Sequence, residues 1–462
     1  MSKKIIIACV ILAMLIGIGT IHQPRESTDT SVLHQHQASI QDDKTKTGLS
    51  KDGVLTSHLP IIVIKTNGAE IPGASRKDKT KLQCSYSVYD NQKDINSSAA
   101  TPTMSGSLLM SIRGNSSRSF PKKQYSLKLC DENGESVSQA LLGMPADSTW
   151  ALTGSYIDKS QLRNYIIYNI SSEFTSNVPR CRLCEVMLTD AQGQTQYEGL
   201  YTLMEKPKVT SNRLKLTPYE KKYTQTSFLL QMNTHIENLE INHLVKDTVY
   251  PYNFDLEYPD STEISNNSLE YIQKQIYHIE KMLLDASHTG EWQDVERSLD
   301  LQKFVDYYLI NEFFQNYDAG RRSTYIYKNL GGKFVVGPIW DFDGAFNNYV
   351  NFPIEIDDLK MKRRFYFRYL SEDPKFSKMC VRRYKELRKS FLSDEYLINY
   401  IDDSSEYLGT AALRNCDRWY DSDYSVYYDD VEKLKKFVKD RGAFMDEHFE
   451  SLITVVDWKG AS

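Results

Sequence analysis

A chain of 462 residues is long enough for a full hydrophobic core and for two subdomains, since single cores rarely grow beyond about 250–300 residues. With 40% hydrophobic and 25% charged residues it reads as an ordinary globular protein, and a formal charge of −5 gives no reason to expect nucleic acid as a partner. The 31 tyrosines and 18 phenylalanines supply amphipathic rings to core and surface, which suits an extracytoplasmic protein without identifying one.

Lys3 and Lys4 precede an apolar run over residues 5–21, the positive and hydrophobic regions of a secretion signal. The run falls just short of the ~20 apolar residues that span a bilayer comfortably, so residues 1–22 are expected to be either a signal peptide or a membrane anchor. The protein is accordingly expected outside the cytoplasm, secreted or tethered to the outer face of the membrane. Residues 23–58 are polar and poor in large apolar side chains, the composition of a disordered tether. Beyond Cys9 the chain holds six cysteines. Cys181 and Cys184 have C-x-x-C spacing, but no second pair or histidine pair completes a zinc shell, so disulfides or buried thiols are favoured over metal.

Order is expected from Leu59. Strands are predicted over 60–65, 84–89, 107–113, 124–130, 183–189, 197–205 and 227–232, with a hairpin loop containing Gly193 at 190–194. A helix is predicted over 158–174, opened by Asp158 or Ser160 and carrying Leu162, Ile166, Ile170 and Phe174 at four-residue spacing. From residue 269 the pattern becomes helical, over 271–284, 301–314, 376–392, 396–413 and 431–449, with strands only at 324–328 and 334–339. The predicted class is α+β: a β-rich part over 59–268 and a helical part over 269–462.

Three constellations carry chemistry. In the first, Asp341 and Asp343 lie two residues apart in Trp340-Asp341-Phe342-Asp343-Gly344. In an extended segment they would share a face while Trp340 and Phe342 pack behind, and paired carboxylates suit Mg²⁺ or Mn²⁺. Equally, a strand ending in a solvated turn would look the same. In the second, Asn311, Glu312, Asn316, Tyr317 and Asp318 stand where a long helical pattern stops. The following hairpin would return the chain and bring Asp318 near the carboxylate pair, as in phosphoryl-transfer sites, although a turn-closing Asp318 fits the same residues.

The third constellation is basic. Arg113-Gly114-Asn115-Ser116-Ser117-Arg118 lies between two predicted strands, where Gly114 lets the backbone approach an anion and the neighbouring amides and hydroxyls can donate. Lys123 and Lys128 on the following strand compete as the inward lysine, and alternation alone does not choose between them. A plain hairpin loop with solvated lysines fits as well. The chain has no G-x-S-x-G elbow and no H-E-x-x-H helix, and it holds 9 histidines. Two further stretches read as surface. Lys362, Arg363, Arg364 and Arg368 make either a solvated helix face or an attraction for an acidic acceptor, and residues 417–430 are acidic and aromatic.

Taken in order, Arg113-Gly114-Asn115-Ser116-Ser117 with Pro121-Lys122-Lys123, Asp158-Lys159-Ser160 through Asn164, Glu198-Gly199-Leu200-Tyr201 through Glu205, Asn316-Tyr317-Asp318, and Trp340-Asp341-Phe342-Asp343 resemble the motifs of the CotH kinase family, the spore coat protein H-like atypical kinases. The resemblance implies an atypical protein-kinase-like fold and an ATP-dependent kinase acting on Ser/Thr of extracytoplasmic or surface proteins. It implies Asp318 as catalytic acid, Asp341 as principal metal ligand and Asp343 as second ligand or orienting neighbour. Where the family often carries a metal-binding asparagine a few residues after the catalytic acid, this chain has Arg321, Arg322, Ser323 and Thr324. Either Asn316 or Ser323 substitutes as metal ligand, or the metal site is altered, or activity is reduced. Lys128 or Lys123 would bind nucleotide phosphate, Glu205 would hold that lysine or a metal, and Arg113 and Arg163 would contact phosphate or brace the loop. Asn115, Ser116 and Ser117 would join the nucleotide site, with ATP and Mg²⁺ or Mn²⁺ as cofactors. The alternative is a non-catalytic surface, coat-assembly or adhesion protein on the same fold.

Overall fold

The computed structural model describes residues 34–38, 40–246, 251–349 and 356–453. The apolar run over 5–21 lies outside them; among the described residues no helix is long and apolar enough to cross a membrane. The fold is mixed α+β, strand-rich in the N-terminal half and helical in the C-terminal half.

Seven strands close into a barrel, in the order Thr149–Thr153, Thr195–Glu205, Cys181–Thr189, Ile61–Lys65, Leu82–Tyr89, Met104–Arg113 and Gln124–Cys130. The last pairs back onto the first, and every pairing is antiparallel except that of Ile61–Lys65 with Cys181–Thr189. Alternation explains the closure. Along Leu82–Tyr89, Cys84, Tyr86 and Val88 turn inward, and they meet Leu108, Met110, Leu127, Leu152, Val186 and Leu203 in one filled interior. Cys181 and Leu183 face outward, into a larger core shared with the helices. Cys181 and Cys184 therefore sit on opposite faces of their strand. All six described cysteines are buried free thiols, so the C-x-x-C spacing is a consequence of two-sided burial.

A second antiparallel sheet has the order Glu240–Ile241, Asn253–Tyr258, Phe228–Asn233, Thr324–Lys328, Phe334–Val336. Its register pairs Leu230 with Ile326, so the division expected at residue 268 cuts through a sheet. Phe228–Asn233 and Asn253–Tyr258 belong with the helical part. The helix Asn266–Thr289 begins where Ser265 Oγ accepts from Ser268 N at 3.2 Å and ends at Gly290 with φ 77°. Leu301–Phe313 is opened by Asp300, and Asp394–Trp419 by Ser393, whose hydroxyl accepts from Tyr396 N. Within the latter, Gly409 adopts φ 47° and ψ −126°, which kinks the helix.

The kink accounts for the described part of the segment expected to be a tether. Residues 34–38 and 40–58 are seated on the body. Gln35 exchanges hydrogen bonds with the Leu183 backbone, His34 bonds Tyr400 and Glu173, and the Asp42 carboxylate accepts from Thr410 N at 2.7 Å and Thr410 Oγ1 at 2.9 Å. A Cβ on Gly409 would lie 2.3 Å from Asp42 Oδ2. Polar composition suggested disorder, but here polar side chains satisfy a helix opened by glycine, a contact 366–368 residues away in sequence.

Candidate functional site

The barrel and the second sheet enclose a cleft of about 690 Å³. On the barrel side it is lined by Arg113 to Arg118, Gln124 and Ser126, and on the other by Gln231, Glu257 and Tyr325, with Asn316 to Asp318, Arg322, Ser323, Asp341 and Asp343 among its lining. The three predicted acids thus enter one cavity.

Asp341 does not lie on a strand. The strand Phe334–Val336 stops before Gly337 (φ 119°) and Pro338, and Asp341 has φ 65°, a left-handed backbone that a non-glycine residue keeps only when its surroundings impose it. Its amide donates to Tyr168 Oη at 3.1 Å, and the next amide, of Phe342, donates to Asn164 Oδ1 at 3.0 Å. Both anchors come from the helix Arg163–Ser172. Trp340 and Phe342 are buried as expected, so the spacing delivers the right side chains by a turn.

The Asp341 carboxylate accepts from Ser323 Oγ at 3.0 Å. Burial and the neighbouring Asp318 raise its pKa, against Arg113, Ser323 and Arg322. Asp343 accepts from Gln124 Nε2 at 3.1 Å and from Asn164 Nδ2, and burial with the Asp341 charge raises its pKa as well. Asp318 holds Arg322 Nε at 2.8 Å on Oδ1; burial raises its pKa, with Arg322 the largest opposing influence. Asp318 thus raises Asp341 and Asp341 raises Asp343, and a hard divalent cation is the chemistry that relieves such crowded carboxylates. Among the described residues no three His, Cys, Asp or Glu side chains are gathered to hold a metal by themselves. The donors present therefore fit an ion that takes the rest of its shell from phosphate and water oxygens, as Mg²⁺ does. Asp341 has the freer carboxylate, and Asp343 is fixed behind it by two amides.

Asn316 lines the cleft but is occupied with the loop. Its Oδ1 accepts from Asp318 N at 3.1 Å, and its Nδ2 donates to Asn311 Oδ1 at 3.1 Å. It shapes the loop that carries Asp318, and Ser323 is the residue that reaches Asp341.

On the barrel wall, Arg113 donates to Gln124 Oε1 at 3.1 Å and stands 5.5 Å from the centroid of the Trp340 ring. Gly114 has φ 104°, and a Cβ there would lie 1.8 Å from Ser117 Oγ, so this turn requires glycine. Arg118 braces it from behind, donating to the carbonyls of Gly114 at 2.6 Å and Ile112 at 2.8 Å. Asn115, Ser116 and Ser117 line the cleft, as the sequence suggested.

Both lysine candidates are displaced. Lys123 folds its ammonium back onto the carbonyls of Arg118 at 2.8 Å and Phe120 at 2.7 Å. Lys128 shares a strand with Gln124 but stands about 13 Å farther along it, outside the cleft lining. The lysines that do line the cleft are Lys79, Lys81 and Lys206. Lys206 lies beside Arg113 and Glu257, and burial lowers its pKa to about 8. Glu257 is pushed up to about 7 by burial and by Asp255.

Glu205, one residue before Lys206, is buried and engages Arg180 at 2.7 Å. It faces a separate groove of about 1590 Å³ rather than the cleft. Arg163 is enclosed as well: it pairs with Asp158 and Asp430 and donates to Ala345 O at 3.1 Å, bracing the turn after Asp343. Of its two suggested roles the geometry selects the brace. Within 417–430, Trp419 donates to Glu198 O, while Tyr420 and Tyr427 are buried, so most of that aromatic run belongs to the core.

No curated protein matches the sequence. The family model described as CotH kinase protein matches residues 110–445, a span that takes in the glycine turn at 114, Asp318, Asp341 and Asp343. On that match, the chain belongs to the CotH kinase family.

Proposed function

We propose that this protein is an exported, ATP-dependent protein kinase that phosphorylates Ser/Thr hydroxyls of extracytoplasmic or surface proteins. The observation that carries the reading is the convergence of Asp318, Asp341 and Asp343 on one cleft, facing a glycine turn flanked by Arg113 and Lys206. Membership of a kinase family supports it. Barrel and helical part would then be the two lobes of an atypical kinase-like fold. The apolar run over 5–21 after Lys3 and Lys4 supports export.

In this reading the turn at Gly114, Arg113 and Lys206 hold the nucleotide phosphates, and Asp341, with Asp343 behind it, holds Mg²⁺ or Mn²⁺. The metal supplies charge neutralisation on the phosphates. Asp318 orients the acceptor hydroxyl and takes its proton as the new P–O bond forms and the bond to the bridging oxygen of ADP breaks. Arg322, ion-paired to Asp318, keeps that carboxylate nearer its ionised form. Phosphoryl transfer demands mainly position and charge, which this cleft supplies without a covalent nucleophile.

The test is transfer of label from γ-labelled ATP to an acceptor protein by the full chain with Mg²⁺ or Mn²⁺, in wild type, Asp318→Ala and Asp341→Ala. Transfer by wild type alone supports the reading, and equal incorporation in all three sinks it. Label arriving from the α-phosphate would indicate nucleotidyl transfer instead.

A further inference from the structure

The loop that carries Asp318 is built against local preference. Gln315 (φ 46°) and Ser323 (φ 51°) both adopt left-handed backbone, which persists only where the surroundings over-determine it. The over-determining group comes from the basic stretch that the sequence placed on the surface. Arg364 is only 4% exposed. Its Nη1 donates to the carbonyls of Asn316 at 2.9 Å, Tyr317 at 3.2 Å and Ala319 at 3.1 Å. Its Cβ lies where Gly320 leaves room, 2.9 Å from the position a Cβ on that glycine would take.

Arg364 is itself held from the far side of the helical part. Glu312 accepts from the amides of Lys360 at 3.0 Å and Met361 at 2.6 Å, fixing the turn that leads into Arg364. Arg441, on the helix Ser425–His448, donates to Glu312 Oε1 at 2.5 Å and to Asp358 O at 2.9 Å. The Arg441 and Glu312 side chains have no exposure to solvent. Charge-assisted bonds from that helix therefore fix the turn at 360–361, and the short segment from there to Arg364 leads to the carbonyls around Asp318.

We infer that Arg364 is a positioning residue for Asp318, locking the 316–320 loop through three backbone carbonyls, with the buried Arg441–Glu312 pair setting its own place. It touches no reacting atom. Any kinetic consequence rests on the kinase reading of Asp318; the structural consequence does not.

The experiment is hydrogen exchange by mass spectrometry on the full chain, wild type against Arg364→Ala and Arg364→Lys, together with steady-state phosphoryl transfer. Arg364→Ala should raise exchange in the peptide covering 315–323 by about tenfold or more while barrel peptides keep wild-type protection. It should lower kcat by about 100-fold with the KM for ATP unchanged, the signature of a misplaced group rather than lost binding. Arg364→Lys, whose ammonium can still reach carbonyls, should recover part of both, and it carries the test should the alanine variant not fold. Unchanged exchange at 315–323 in Arg364→Ala, or in Arg364→Lys should the alanine variant not fold, or a rise spread evenly over the molecule, overturns the inference. If wild type shows no transfer but exchange rises only in that loop, the kinase reading fails and the positioning role stands.

Discussion

Ser323 donates its hydroxyl to Asp341 Oδ2 at 3.0 Å, joining the end of the Asp318 loop to the second acid of the site. The bond favours the ionised carboxylate and so opposes the rise in pKa that burial and Asp318 impose. Ser323→Ala removes that opposition. An activity that needs ionised Asp341 should then show an acid limb moved toward higher pH by about one unit, with the alkaline limb unchanged. A pH–rate profile on the variant decides this, and an unshifted limb would mean that Asp341 is not the group that titrates.

The same carboxylates make a prediction about the cation-free protein. Their folded-state pKa values are raised, so between the ordinary carboxylate value of about 4 and the folded value the folded chain binds more protons than the unfolded chain. Stability owed to these groups is fully present below about pH 4 and is lost as pH rises through the folded values. Asp341→Asn, in chelator, should therefore raise the melting temperature at pH 8 and leave it nearly unchanged at pH 4. Millimolar Mg²⁺ should raise the wild-type melting temperature more at pH 8 than at pH 5. Thermal unfolding at the two pH values checks both, and a variant equally destabilised at both would contradict the account.

Gly114→Ala places a methyl group 1.8 Å from Ser117 Oγ on a backbone with φ 104°. The variant should lose ATP affinity by about tenfold or more and lower the unfolding midpoint by the equivalent of about 1–2 kcal/mol. Adding Ser117→Gly relieves the clash but leaves the backbone cost of about 1–2 kcal/mol, so only part of the affinity should return. Calorimetric titration with ATP measures the sequence of losses; full affinity in the single variant would exclude this turn from the nucleotide site.

Alternation made the barrel strands legible. Leu82–Tyr89 and Met104–Arg113 turn every second residue inward, and the pattern survives in the sequence as read. Thr149–Thr153 escaped because Trp150, Ala151 and Leu152 are buried in succession, leaving no period to find. The acids were legible as residues but not as geometry, since Asp341 sits in a left-handed turn held by Tyr168, far away in sequence. Neither expected lysine reaches the cleft: Lys123 folds back onto the carbonyls of Arg118 and Phe120, and Lys128 lies outside the lining. Glu205 ends its strand and engages Arg180 away from the cleft, while Lys206, just past the strand end, is among the cleft lining. Arg163 and Asp42 could not be placed from local pattern, because their partners Asp430 and Thr410 arrive hundreds of residues later, and Arg364 could not because its partners lie some 45–48 residues earlier.

The placement of Arg163 leads to a stability prediction that separates brace from ligand. Its guanidinium lies between Asp158 and Asp430 and holds the Ala345 carbonyl, all within the protein. Arg163→Met preserves much of the volume but strands two buried carboxylates, which costs about 3–5 kcal/mol. Urea unfolding should show that loss with ATP absent. Removing Asp430 as well, in Arg163→Met/Asp430→Leu, should recover a large part of it, because the second stranded charge is gone. A phosphate-binding arginine would behave in the opposite way: its loss would leave unfolding nearly unchanged and lower only the affinity for nucleotide.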